Sequence, residues 1–291
     1  MTTLAAGCGK AQTPKGASPS TSLSNSRALT DAEALRIADA QQVLIRKCME
    51  RDGFTYWEAE RPSLEESRTL GYVLDDVDWA RRHAYGSRIS AQEDRRRRAD
   101  LNIAYHKSLS AERRKEYDEA LDGGLQAPVI SATLPGGGVV QKREGGCVAE
   151  SESQLYGDVR AWFRAEKISG GLQSLYVPKV MADGKFTAAL NAWSQCMTHA
   201  GRPYSDPQAA RQAAAQRSVR LGVDKAFPSE RDLAVADATC ARKTSLKAIG
   251  EAREAHYIEE LPKRYGKALE TWHGFQHRAL VRARALVDAR T

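Results

Sequence analysis

The nine residues CMERDGFTY, 48–56, return as CMTHAGRPY at 196–204, 148 positions later. The shared Cys-Met-x-x-x-Gly-x-x-Tyr pattern ties each copy to a cysteine. Cysteines constrain a fold strongly, because a disulfide fixes two distant points of the chain at one distance. With Cys8 set aside, four remain: Cys48, Cys147, Cys196 and Cys240. Four cysteines allow three pairings. The stretches CVAESESQLYG and CARKTSLKAIG both place glycine ten residues after cysteine, at Gly157 and Gly250. The order along the chain is then first kind, second kind, first kind, second kind. The parsimonious pairing is Cys48–Cys147 and Cys196–Cys240. Loops of that size contribute about 4–5 kcal/mol each in the chain-entropy picture. No two of the four have the close spacing of a zinc site, so structural staples are expected, with no metal and no cofactor.

An even count of paired thiols suits an exported chain, and the amino terminus points the same way. TLAAGC, Thr3 to Cys8, resembles a bacterial lipobox, in which cleavage before the cysteine is followed by acylation of its thiol. Residues 1–8 therefore read as the remnant of a lipoprotein signal with Cys8 as the lipidation site. Residues 9–27, rich in Ser, Pro, Thr, Gly and Ala, read as a flexible tether. Ala5 stands where Leu is commoner, and no basic or long apolar region precedes it. Either the true start lies upstream of Met1 or the chain has been trimmed. The competing reading is an accidental Ala-Gly-Cys in a cytoplasmic tail.

A composition of 42% hydrophobic and 28% charged residues is that of a folded soluble protein, and no apolar run approaches bilayer-spanning length. The net charge of +7 permits contact with acidic polymers and selects none. The densest basic run, Arg95–Arg98, is flanked by acids on a helical pattern, so successive arginines point in different directions and form a solvated face. No aromatic residues are interleaved for base stacking, which argues against a nucleic-acid partner.

Helical spacing dominates. Thr30 and Glu33 form a capping box before Ile37, Val43, Leu44, Cys48 and Met49, with Gly53 as the stop. A second box, Ser63 with Glu66, predicts a short helix ending near Gly71, and Ser90 with Glu93 predicts one helix through residue 109. Residues 110–121 read as a further helix that stops at Gly123–Gly124. PVISATLPGGGVVQKREGGC alternates with period two around a Pro-Gly turn and predicts a β-hairpin. After it, residues 147–167 read as one helix, 186–201 as another, 206–222 as a third capped by Asp206 with Pro207 in the first turn, and 229–261 as a long one starting at a Ser229–Asp232 box. Pro262 interrupts before a last apolar-striped helix.

The stretches CMERDGFTYW, GYVLDDVDWARRHAYGSR, LYGDVRAWF, LYVP, AWSQCMTHAGRPY and LAVADATCA resemble a group of uncharacterised actinobacterial secreted lipoproteins across residues 30–285. The resemblance implies export and lipid anchoring. It brings no catalytic residues.

Side chains able to do chemistry have ordinary readings. His273 and His277 stand at i and i+4, but Gly274 occupies the position where a metalloprotease helix has Glu. Asp75, Asp76 and Asp78 beside Trp79 form an acidic cluster, and nothing marks a desolvated acid as a lysozyme-like enzyme needs. Met49 and Met197 read as packing beside the disulfides, and Tyr56 and Tyr204 as closing each module after its glycine turn. Together with Trp79, the two tyrosines are the candidates for a ligand groove between modules.

The expected architecture is mainly α: a helical bundle of two disulfide-closed modules, 28–175 and 176–291, with one small β-hairpin inserted in the first. The expected function is a lipid-anchored extracytoplasmic protein, a non-catalytic binding or envelope-structural component. Its partners would be the membrane, through the lipid, and a cell-wall polymer or a protein. A peptidoglycan hydrolase is the first alternative and a cytoplasmic regulatory protein the second.

Overall fold

The first described helix opens on the capping box. In the computed structural model, which describes residues 27–288, Glu33 N donates to Thr30 Oγ1 at 3.3 Å and Thr30 N to Glu33 Oε2 at 3.0 Å, opening α1 (Asp31–Arg51). Cys8 and the tether up to residue 26 lie outside the described residues. Then follow α2 (Val77–His83), α3 (Ser87–Arg98), α4 (Leu101–Ser108) and α5 (Ala111–Asp122). The hairpin β1 (Val129–Thr133) and β2 (Val139–Arg143) leads into α6 (Gly146–Tyr156), α7 (Val159–Gly171) and α8 (Gln173–Ala182). The remainder is α9 (Gly184–His199), α10 (Pro207–Leu221), α11 (Val223–Lys243), α12 (Leu246–Glu259) and α13 (Lys263–Asp288). The fold is mainly helical, with one antiparallel strand pair running from Val129↔Arg143 to Thr133↔Val139.

Both disulfides pair as the repeat implies, Cys48 with Cys147 and Cys196 with Cys240, at Cα separations of 5.5 and 5.6 Å. The two Cys-Met-x-x-x-Gly copies are the same helix ending. Phe54 N donates to Met49 O at 2.9 Å and Gly53 N to Glu50 O at 3.1 Å, while Arg202 N donates to Met197 O at 2.8 Å and Gly201 N to Thr198 O at 3.0 Å. These 6→1 and 5→2 bonds are a Schellman motif, which needs a left-handed residue after the cap. Gly53 and Gly201 supply it at φ +82° and +72°.

Several helix boundaries differ from the sequence reading. The Ser63–Glu66 box forms both its hydrogen bonds, yet only a turn follows, because Leu64 stays 54% exposed and no core face sustains a helix there. Ser90 is inside α3 and caps nothing. That helix begins after Gly86, where the buried Glu230 carboxylate of α11 accepts from Tyr85 N at 3.0 Å and Ser87 N at 3.3 Å, so a distant side chain does the capping. Asp100 then caps α4 and divides the expected single helix. Residues 147–167 are likewise two helices. Gly157 turns at φ +84°, and Asp158 accepts from Ala161 N at 2.9 Å to start α7. Ser229 opens no helix: α11 starts earlier, at Val223, and the Ser229 hydroxyl donates to Ala226 O within it. The long helix ends at Lys243, and α12 restarts after Ser245 at φ +53°.

The chain segments 28–175 and 176–291 share their cores. Ile37, Ala40 and Leu44 of α1 and Leu155 of α6 pack with Ala279, Leu280 and Ala283 of α13. Val77, Trp79 and Ala80 of α2 pack with Phe227, Ala234 and Ala238 of α11. The inward face of β1, Ile130 and Ala132, lies on Val159 and Phe163 of α7. A further core in the second segment joins Tyr176 and Val180 of α8, Phe186, Trp193 and Met197 of α9, and Cys240.

Candidate ligand-binding site

Tyr56, Trp79 and Tyr204 do not meet. Tyr56 packs on the cluster of Ile45, Cys48, Met49 and Phe54, and its hydroxyl donates to Gln42 Oε1 at 3.2 Å. Trp79 is 2% exposed in the α2–α11 core. Tyr204 packs against the Met197 and Trp193 core, and its carbonyl accepts from Ser194 Oγ at 2.7 Å. The helix ending itself separates the two tyrosines, because it folds each one back onto its own helix, and α11 covers Trp79. The three therefore stand in separate clusters and do not frame one groove, while Trp79 lines a different hollow of about 280 Å³ with Arg68 and Tyr85.

A cavity between the segments exists elsewhere, with a volume of about 230 Å³. Tyr72, at a bend just after Gly71, comes from the first segment, while Tyr176 of α8 and Phe186 of α9 come from the second. The rings of Tyr72 and Phe186 lie 6.0 Å apart and tilted. The i, i+4 spacing of α8 gives it two faces. Tyr176 and Val180 are buried, while Val177 and Met181, 42% and 39% exposed, form the rim. The fourth side is α12. Gly250 leaves room there, since a Cβ on it would stand 3.3 Å from Phe186 Cε2.

Charge enters from α12. Glu254 Oε1 accepts from the Tyr176 hydroxyl at 2.6 Å, and burial pushes the Tyr176 phenol well above its ordinary range, so it stays a donor. Lys247 is held by Asp75 of the first segment at 3.0 Å. Glu251, exposed, adds a second carboxylate one turn before Glu254. Neither carboxylate has a cation within ion-pair distance among the described residues.

A more open hollow of about 540 Å³ lies beside α3, walled partly by Trp57 and Leu101. Its charges are consumed internally. Arg96 pairs with Glu60 at 3.1 Å and Glu66 at 3.3 Å, and Arg97 reaches Asp94 at 3.5 Å. The arginine run is thus partly a wall of this hollow and partly solvated face.

Most of the groups singled out in the sequence have structural partners among the described residues. Asp76 caps α2 through Trp79 N at 2.9 Å and pairs with Arg68 at 2.8 Å, which holds its carboxyl below the usual range. Asp75 holds Lys247, and Asp78 pairs with Arg81 in solvent. His277 is buried, its Nε2 2.9 Å from Arg27 O, and His273 does not share that contact. Cys48, Asp52 and Cys147 lie close enough together to suggest a metal site, but the two sulfurs are bonded to each other. Asp237 of α11 is fully buried, accepting from Trp193 Nε1 at 3.0 Å and the Tyr85 hydroxyl at 2.9 Å. Burial pushes its carboxyl up to about 6, against the opposing pull of those donors and of Arg211. It has the desolvation of a general acid without any access for a substrate.

Tyr72 and Tyr176 carry no periodic signal that would separate them from core residues, and only the fold brings residues 71–73 against α8 and α12. No family model matches the chain, and no curated protein or solved structure shows significant similarity to it. No described helix is long and apolar enough to cross a membrane.

Proposed function

We propose that this chain is a lipid-anchored extracytoplasmic protein that acts by binding rather than by turnover, as a component of the cell envelope. The observation that carries the binding role is the aromatic cavity between the segments, whose walls continue into the core braced by Cys196–Cys240. Two disulfides are consistent with an extracytoplasmic location. The likeness to secreted actinobacterial lipoproteins supports the same placement. Anchoring rests on Cys8, and a cell-wall polymer or an envelope protein is the partner class such a location offers.

The test is expression of the full open reading frame in a bacterial host fed an alkyne-tagged fatty acid. The expected result is a labelled, membrane-associated protein whose label disappears in Cys8→Ala. Unlabelled protein in the cytosol with free thiols would restore the cytoplasmic reading. Incubation of the purified protein with peptidoglycan gives no soluble muropeptides under this proposal, and their release would put the hydrolase reading first.

A further inference from the structure

We infer that the cavity between residues 71–73, α8 and α12 takes an organic ammonium ion carried on a short apolar stem. The inference rests on reading that cavity as a ligand site and adds the class of ligand. Its walls are aromatic, from Tyr72, Tyr176 and Phe186, and the negative faces of such rings attract cations. Its charges are unbalanced. Glu254 is satisfied on one oxygen by the Tyr176 hydroxyl and has no cation beside it among the described residues, and Glu251 adds a second negative charge at the rim. The lining cation, Lys247, is already neutralised by Asp75.

A neutral apolar guest would leave the half-buried Glu254 carboxylate without a counter-ion, and an anion would meet two carboxylates at the mouth. A cation on an apolar stem satisfies both halves of the site. The volume of about 230 Å³ limits the guest to a fragment, below the usual range of drug-sized pockets. Gly250 makes that space: any side chain there points at Phe186.

Calorimetric and NMR titration of the disulfide-bonded protein with benzyltrimethylammonium, benzyl alcohol and benzoate tests the inference. The cation should bind at least about 10-fold more tightly than the alcohol, with benzoate weakest. Glu254→Gln keeps an acceptor for Tyr176 and should weaken the cation about 5- to 10-fold while leaving the alcohol unchanged. Gly250→Leu should abolish binding of both in a protein whose urea midpoint shows it is folded. Equal affinity for cation and alcohol would overturn the ammonium assignment and leave a ligand site standing. Failure of all three probes to bind folded protein would remove the site, and with it the binding role proposed above. Cation binding unaffected by Glu254→Gln and Glu251→Gln together would also overturn the assignment.

Discussion

The two Cys-Met-x-x-x-Gly ends have the same backbone and different neighbours. At the end of α1, the residue after glycine is Phe54, buried against the Met49 cluster and covered by the Arg113 guanidinium 4.2 Å from its ring. At the end of α9 the same position is Arg202, so the apolar contact that commonly accompanies this ending is missing. Three residues before the cysteine, α1 carries Ile45 and α9 carries Trp193, whose indole reaches Asp237. The disulfide partners differ too. Cys147 lies in the first turn of α6, whereas Cys240 is near the end of α11. A repeated motif therefore specifies how a helix stops and where a sulfur is presented, and the helix that receives the sulfur is chosen by the rest of the fold.

Perturbing both ends in parallel measures how far the likeness extends. The largest effects belong to the disulfides. Replacing Cys48 and Cys147 by Ala should cost about 5 kcal/mol and replacing Cys196 and Cys240 about 4, following loop separations of 99 and 44 residues. Urea unfolding reads both, and the reverse order would show that native packing outweighs loop length. Next come Met49→Ala and Met197→Ala, each at 0% exposure, which should cost about 3 kcal/mol apiece. A loss at only one end would mean that the second core can collapse around its cavity.

Asp237 sharpens the contrast, because the Ile45 side has no counterpart. An unfolded aspartate releases its proton near pH 4, while Asp237 in the fold holds it to about 6. Between those values the folded form binds more protons, so this group's contribution to stability falls as pH rises from about 4 to 6 and stays lowered above. Asp237→Asn should therefore gain on the parent by up to about 3 kcal/mol between pH 4 and pH 7.5 in paired urea titrations. A flat difference across that window would show that Tyr85, Trp193 and Arg211 already offset the burial. The smallest effect expected is from Gly53→Ala and Gly201→Ala. Neither added Cβ meets anything within 4 Å, so each should cost only the left-handed backbone, about 1 kcal/mol, equally at the two ends.

What could be read in the sequence divides along local and non-local lines. The Thr30 capping box, the Asp206 cap with Pro207, the Gly53 stop and the hairpin are each specified by residues within a few positions, and all formed. The Ser63 box formed as hydrogen bonds and still gave no helix, since propagation needs a buried face that residues 64–67 lack. The capping of α3 by Glu230 links positions 143 apart or more, and no local pattern announces it. The cavity lined by Tyr72 and Tyr176 is not legible in the sequence for the same reason. Tyr56 and Tyr204 stand out because they repeat, whereas Tyr72 and Tyr176 matter because of what packs between them.

Under tension the two cross-links change which part of the chain carries load. A pull transmitted from residue 27 along α1 meets a covalent bond at Cys48 and passes to Cys147, so α2 to α5 and the hairpin lie off the loaded path. A second shortcut from Cys196 to Cys240 removes α10 and most of α11. More than half of the described residues are thereby excluded from extension while both bonds hold. The contacts that join the two loaded ends are those of α1 and the residues just before it with α13, including His277 on Arg27 O and Arg284 on Glu33. Tyr72 sits inside the first shielded loop, whereas α8, α9 and α12, which supply the other walls, lie on the loaded path, so a pull on the chain ends acts on one side of the cavity directly and on Tyr72 through packing alone.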